Sequence, residues 1–210
     1  MNLQWKKWSI LTATLLMAGA VAFAQDPSST SADPKPKTEV GQRKENQQDR
    51  IAQGVQSGQL TAGETSKLES KEAAINGETR ADRAANGGKL TAAEKAQINK
   101  QQNQVSKQIY QDKHNANTAH YGSNEVGQRR ENQQERIAQG IKSGQLTAGE
   151  AAKLENQQKG INQQVAADRA ANGGKLTAGE KTQVNKEQNK ASKNIYNKKH
   201  NAHTQGGVKK

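Results

Sequence analysis

The chain is a tandem duplication, and this feature constrains its fold more than any other. Residues 39–116 align with residues 125–202 at a constant offset of 86 positions and without a gap; 24 of the 78 aligned pairs differ and 54 are identical. Two segments this similar take the same secondary structure, so each element of one copy recurs 86 residues later. The sequence therefore predicts a repeat protein built from two equivalent units.

Each copy contains a shorter motif, Gly-x-Leu-Thr-Ala-x-Glu, twice, so that the motif begins at Gly58, Gly88, Gly144 and Gly174. Glycine readily adopts the left-handed conformation that ends a helix. Threonine followed three positions later by glutamate is the signature of a capping box, which starts a new helix. We therefore predict a joint between two helices at every motif. The structural capping residues of these joints are Thr61, Glu64, Thr91, Glu94, Thr147, Glu150, Thr177 and Glu180.

The predicted fold class is all-α, with two tandem copies of a three-helix unit joined by helix–loop–helix joints. In the first copy the helices lie near 40–57, 61–86 and 91–113, with counterparts 86 residues further on. Apolar residues follow helical spacing, and Ile98, Val105 and Ile109 share one face of the third helix. Since no segment alternates convincingly between apolar and polar residues, strands are not expected.

The first 24 residues are typical of a secretory signal peptide. Lys6 and Lys7 precede an apolar stretch, and Ala22-Phe23-Ala24 supplies a small-x-small cleavage signature. An uncleaved membrane anchor is the alternative, but the apolar stretch is short for a membrane span. We predict cleavage after Ala24 and a location in the periplasm or outside the cell, with no transmembrane segment in the mature protein.

Composition sets the remaining domain boundaries. Residues 25–38 contain all three prolines and are predicted to be a disordered linker. Repeat unit 1 covers 39–116, a short linker covers 117–124, and repeat unit 2 covers 125–202. Residues 203–210 are predicted to be a disordered basic tail.

The second copy is more basic than the first. There are 12 basic and 10 acidic residues in 39–116, but 14 basic and 8 acidic residues in 125–202. One interpretation is an ordinary solvated helical surface. The other is salt-sensitive binding of unit 2 to an anionic partner, for which the candidates are an envelope polymer, a membrane surface and nucleic acid.

The sequence contains no constellation typical of catalysis. It has no cysteine, which excludes disulfides and thiol chemistry. A nucleophile elbow, a phosphate-binding loop and an HExxH motif are also missing from the sequence. We predict that the protein is not an enzyme and needs no cofactor.

Two patterns are weak candidates for metal binding. His200 and His203 are spaced i, i+3, but no acidic residue lies close in sequence to complete a site. The joints also resemble EF-hand loops, with Gly58 at position six and Glu64 at position twelve. Positions one, three and five carry no carboxylate in any of the four loops, and calcium needs several oxygen ligands. A degenerate EF-hand-like calcium or metal-binding protein therefore stays as the alternative function.

Each copy ends with a tyrosine followed by a basic pair, Tyr110 with Lys113-His114 and Tyr196 with Lys199-His200. In one interpretation Ile109 and Tyr110 pack the third helix against the bundle. In the other, the tyrosine and the basic pair contact an anionic or aromatic partner.

Two segments of the chain resemble a family of exported bacterial helical repeat proteins with no assigned function. One runs from Asn46 to Gly54 and into Ser57-Gly-Gln-Leu-Thr61; the other comprises Asn103 to Ser106, Ile109-Tyr110 and Lys113-His-Asn115, and both recur in the second copy. The resemblance implies a small helical periplasmic or secreted protein and supplies no catalytic residues. Together these features predict an exported non-enzymatic protein with a binding or structural role in the cell envelope.

Overall fold

A computed structural model of the chain describes residues 38–205. The predicted signal peptide and all of the proline-containing linker except Thr38 lie outside the described residues, as do the last five residues of the predicted tail. The described part is all-helical, which confirms the predicted fold class. Its six helices are α1 (Glu39–Gln56), α2 (Ala62–Ala85), α3 (Ala92–Lys113), α4 (Glu125–Lys142), α5 (Ala148–Ala171) and α6 (Ala178–Lys199).

The helix boundaries repeat at the offset of 86 residues. α1, α2 and α3 begin and end at positions equivalent to those of α4, α5 and α6. Gly58 and Gly144 end the first helix of each copy with positive φ angles of 71° and 66°. An amino acid with a side chain adopts this conformation at a cost, so glycine allows the sharp reversal into the next helix.

The two copies pack against each other through α1 with α4 and through α2 with α5. A hydrophobic cluster runs through both copies and includes Ile51, Leu60 and Leu68 of the first and Ile137 and Leu146 of the second. A smaller cluster lies within the second copy. The long-range packing therefore makes the described residues, 38–205, one compact unit.

The contacts between α2 and α5 are related by exchange of the two copies. A Cβ atom placed on Gly63 would lie 3.6 Å from Lys159, and one placed on Gly149 would lie 3.9 Å from Ala73. Gly63 is equivalent to Gly149, and Ala73 is equivalent to Lys159. A residue later in α2 contacts a residue earlier in α5, so the two helices are antiparallel. Each helix contributes the same set of positions to the contact.

Buried glutamines replace part of the apolar core within each copy. The Gln47 Nε2 atom donates to the Gln102 carbonyl at 2.7 Å, and the Gln102 Nε2 atom donates to the Val40 carbonyl at 3.0 Å. Gln133 and Gln188 make the same bonds in the second copy. These bonds tie the first helix of each copy to the third, so a chain with few large apolar residues still orders its helices.

Within residues 38–205, no helix combines the length and apolar character required to cross a bilayer.

Candidate functional site

The capping residues predicted from the joint motif lie at the N-termini of α2, α3, α5 and α6. At the start of α2, the Thr61 Oγ1 atom accepts a bond from the Glu64 amide at 3.3 Å, and Glu64 Oε2 accepts from the Thr61 amide at 2.9 Å. The reciprocal pair of bonds is also present at Thr91/Glu94, Thr147/Glu150 and Thr177/Glu180. Each pair satisfies two backbone amides that a helix leaves without partners.

The glutamates of the α1–α2 and α4–α5 joints have further partners at the ends of the copies. Glu64 Oε1 accepts from Asn115 at 2.8 Å and from Asn117 at 3.1 Å, so the start of the 117–124 segment is held on the joint. Partial burial alone would raise the pKa of Glu64, but its hydrogen bonds from Thr61, Asn115 and Asn117 hold it below the ordinary value.

Glu150 has a corresponding arrangement. Its Oε1 atom accepts from Asn201 at 2.6 Å and lies 3.7 Å from Lys198 Nζ. The Gln205 amide donates to the Gly144 carbonyl at 2.9 Å, and the Gln205 side chain accepts from the Ala148 amide. The start of the predicted tail is therefore packed on the α4–α5 joint, and Gln205 is buried.

The two histidines considered as metal ligands have different surroundings. His200 caps the C-terminus of α6, its Nδ1 atom lies 2.7 Å from the Tyr196 carbonyl, and its ring stacks on the Tyr196 ring. His203 is exposed, and its backbone amide donates to Asn201. Throughout residues 38–205, no group of three His, Asp or Glu side chains is arranged to hold a metal ion.

The structure separates Ile109 and Tyr110, which one of the two interpretations of the sequence packed together against the bundle. Ile109 is buried, whereas 60% of the Tyr110 surface is exposed. The Tyr110 ring stacks on His114 with centroids 4.2 Å apart, and Tyr196 with His200 repeats the stack at 4.1 Å. Each copy thus presents one planar aromatic face to solvent at the end of its last helix.

A basic cleft lies beside the α5–α6 joint in the second copy. Its volume is about 370 Å³, and the first turn of α4 forms its other side. Its lining carries three cationic side chains and one acidic side chain. The lining residues are Asn124, Glu125, Val126, Arg169, Gly174, Lys175, Leu176, Lys181 and Asn185.

Three neighbouring elements bring the cations of this cleft together. Arg169 lies in the last turn of α5, Lys175 lies in the joint, and Lys181 lies in the first turn of α6. A fourth cation borders the lining, because Arg129 of α4 donates a hydrogen bond to Asn185 at 3.3 Å. The positive potential of such a concave site favours an anionic group.

Sequence reasoning identified the second copy as basic but did not identify this cleft. Arg169, Lys175 and Lys181 lie close together in the sequence, whereas the opposite wall starts at Asn124. The first copy has the same cation types at Arg83, Lys89 and Lys95, so the sequence alone does not distinguish the two positions.

No protein-family model, curated protein or solved structure matches the chain in any of the three comparisons.

Proposed function

We propose that this chain is an exported, non-enzymatic helical repeat protein that binds anionic groups of a cell-envelope polymer in the basic cleft of its second copy. The observation that carries the proposal is the convergence of Arg169, Lys175 and Lys181 on one concave surface. The secretory signature of residues 1–24 supports export, and the resemblance to exported bacterial repeat proteins agrees with it.

The chemistry of the cleft fits a phosphate- or carboxylate-bearing polymer. Arginine offers a planar fork of N–H donors that suits oxyanions, and lysine adds mobile ammonium groups. Lys175 and Lys181 are exposed, so a polymer can reach them without a conformational change. Because the lysines of the cleft are exposed to solvent, we expect binding that is moderate in strength and weakened by salt.

The arrangement of the joints weighs against the metal-binding alternative. The Glu64 and Glu150 carboxylates are occupied by hydrogen bonds from threonine and asparagine. Glu94 and Glu180 likewise accept bonds from Asn86 and Asn172. A cation at these joints would have to displace donors that already stabilise the helix starts.

A pair of triple variants tests the proposal. Arg169→Gln/Lys175→Gln/Lys181→Gln removes the three cleft cations. The matched control, Arg83→Gln/Lys89→Gln/Lys95→Gln, removes the same charge from the equivalent positions of the first copy. Binding of fluorescent inorganic polyphosphate is measured by anisotropy at several salt concentrations, with polyglutamate, anionic lipid vesicles and duplex DNA as comparison ligands.

We expect the cleft variant to bind polyphosphate at least tenfold more weakly and the control variant to change affinity by less than threefold. About three contacts to phosphate predict a slope of roughly −2 to −3 for log K against log salt in the native protein. Equal losses in the two variants would show that overall charge, and not the cleft, governs binding. Stronger binding to vesicles or DNA than to either polymer would redirect the proposal to that partner.

A further inference from the structure

Three glutamates with no surface exposure lie on the buried faces of α2 and α5. They are Glu69 and Glu72 of α2 and Glu155 of α5. Glu69 and Glu155 occupy equivalent positions, so they lie on the two sides of the antiparallel helix pair that joins the copies. Burying an ionised carboxylate without a compensating partner is very unfavourable, so this cluster requires an explanation.

The hydrogen bonds of the cluster show that it lacks donors. Gln48 donates to Glu69 Oε2 at 3.1 Å, and Gln134 donates to Glu155 Oε2 at 2.9 Å. The Oε1 atoms of Glu69 and Glu155 and both carboxyl oxygens of Glu72 have no hydrogen-bond partner. The buried amide oxygens of Gln48, Gln134 and Gln158 also lack one.

Each of these unsatisfied atoms is an acceptor oxygen, whereas the Nε donor of Arg130, which lies over the Tyr121 ring, is also buried without a hydrogen-bond partner. A carboxylate can only accept hydrogen bonds, whereas a protonated carboxyl group carries one O–H donor. Adding protons to the cluster therefore supplies the donors that it lacks and removes the buried charge at the same time. Full burial and the unpaired acceptor atoms therefore favour glutamic acid over glutamate at these positions.

The groups that face the cluster come from several elements. The positive charge of Lys44 in α1 opposes the rise in the pKa of Glu72. Gln48 of α1 donates to Glu69, and Gln134 of α4 donates to Glu155. Tyr121, in the segment before α4, lies near Glu155, with the Arg130 guanidinium of α4 5.4 Å above its ring. Among the described residues of α3 and α6, none perturbs the three carboxyl groups.

The pKa values agree with this arrangement. Burial raises the pKa of Glu155 to about 8, against the opposing hydrogen bond from Gln134. Burial raises the pKa of Glu72 to about 7, although the charge of Lys44 opposes the shift. Burial also holds the pKa of Glu69 well above its ordinary value; the Gln48 bond opposes that shift, and the charges of Glu72 and Glu155 add to it.

We propose that the α2–α5 interface is a pH-sensitive latch, closed while Glu69 and Glu155 are protonated and loosened when they ionise. Ionisation places negative charges at equivalent positions of two packed helices, and acceptor atoms already surround them. The Gln47–Gln102 and Gln133–Gln188 bonds, which tie the first helix of each copy to the third, involve no titrating group. We therefore expect the copies to move apart while the helices persist.

Spin labels across the interface measure this movement directly. The chain has no cysteine, so Lys67→Cys and Lys153→Cys create the only thiols; both positions are exposed and equivalent on α2 and α5. Double electron–electron resonance on the full chain from pH 5 to pH 9 should give one narrow distribution of distances between the two labels at low pH. A longer and broader population should appear near pH 7 to 8, with helical circular dichroism retained.

Two double variants in the labelled chain separate the cluster from general charge effects. Glu69→Gln/Glu155→Gln carries neutral amides and should keep the narrow distance up to pH 9. Asp49→Asn/Glu135→Gln, at exposed equivalent positions of α1 and α4, removes two carboxylates elsewhere and should retain the transition of the native chain.

A native distance that does not change between pH 5 and pH 9 would overturn the proposal, as would an unchanged transition in the Glu69/Glu155 variant. If that variant fails to fold, carbon NMR titration of the glutamate carboxyls in the native chain replaces it. Titration of all carboxyls near their ordinary pKa values would then refute the latch.

Discussion

Replacement of Gly54 by alanine tests how closely the α1–α2 joint is packed. Gly54 lies in the last turns of α1, and a Cβ atom placed there would lie 2.6 Å from both Cδ1 and Cγ of Leu60. Carbon atoms in contact are normally about 3.5–4.0 Å apart. Leu60 is fully buried and its amide donates to the Gly54 carbonyl at 2.9 Å, so it has little freedom to withdraw.

Gly77 provides the matched control in α2. It is also a helical glycine, but a Cβ atom placed there would meet nothing within 4 Å. Alanine at Gly77 should therefore stabilise the protein by about 1 kcal/mol, the usual difference in helix propensity. At Gly54 the same gain is opposed by overpacking, which typically costs about 1–3 kcal/mol. The gain in helix propensity from glycine to alanine is nearly the same in both variants. The difference between their free energies of unfolding therefore measures the cost of the clash with Leu60.

Urea denaturation followed by circular dichroism at pH 6 measures both free energies of unfolding. We expect Gly54→Ala to be less stable than Gly77→Ala by about 1–3 kcal/mol. In a Leu60→Ala background the clashing atoms are removed, so Gly54→Ala should no longer destabilise the protein. Equal stability of the two single variants, or an unchanged penalty in the Leu60→Ala background, would refute the packing argument.

Three further predictions concern single positions. Thr61→Ala removes the α2 capping oxygen and should lower the free energy of unfolding by about 1 kcal/mol in urea titration. Leu146→Ala empties a fully buried site and should cost about 2–5 kcal/mol by the same measurement, whereas Lys142→Ala, at an exposed position, should change stability little. Burial raises the pKa of Glu155 in the folded protein from 4.5 to about 8. The stabilisation of the folded state by the protonated carboxyl is therefore fully present below pH 4.5 and is lost as pH rises to 8. That loss corresponds to about 5 kcal/mol, so Glu155→Gln should flatten the decline of stability over this range.

The outcomes that contradict these predictions are specific. A Thr61→Ala variant with native stability would mean that the capping box does not limit the start of α2. A Leu146→Ala loss no larger than that of Lys142→Ala would place Leu146 outside the core. A Glu155→Gln variant whose stability declines with pH as steeply as that of the native chain would assign the decline to other groups.

The helix boundaries were predictable because local signals define them. The first helix was expected near 40–57 and spans Glu39–Gln56, and the third was expected near 91–113 and spans Ala92–Lys113. Glycine with positive φ and the threonine–glutamate pair act within a few residues of each joint. Interactions of this range are visible in sequence without knowledge of the tertiary fold.

The helical spacing of apolar residues does not predict which polar residues are buried. Thr65, Leu68, Glu72, Ile75 and Thr79 follow one another at intervals of three or four residues, and all five are buried. Glu72 thus lies on the buried face of α2, and this spacing was the available signal. Whether a glutamate at such a position is buried depends on the partner helix, which sequence spacing does not identify.

The pairing of the copies was also beyond sequence reasoning. Nothing local to α2 specifies that it packs against α5, and the basic cleft depends on the approach of α4 to the α5–α6 joint. The duplication predicts that two equivalent units exist. It leaves their contact surface to long-range packing of residues such as Leu68 and Leu154.

The exchange-related contact of α2 with α5 has the geometry of a homodimer contained in one polypeptide. In a true homodimer each residue of the contact occurs twice, so a carboxyl at position 72 would bring a second one with it. Here the partner position carries Gln158, and the acids with no surface exposure on the two helices number three. Covalent fusion makes such an odd number possible, and it also makes the association of the halves independent of protein concentration.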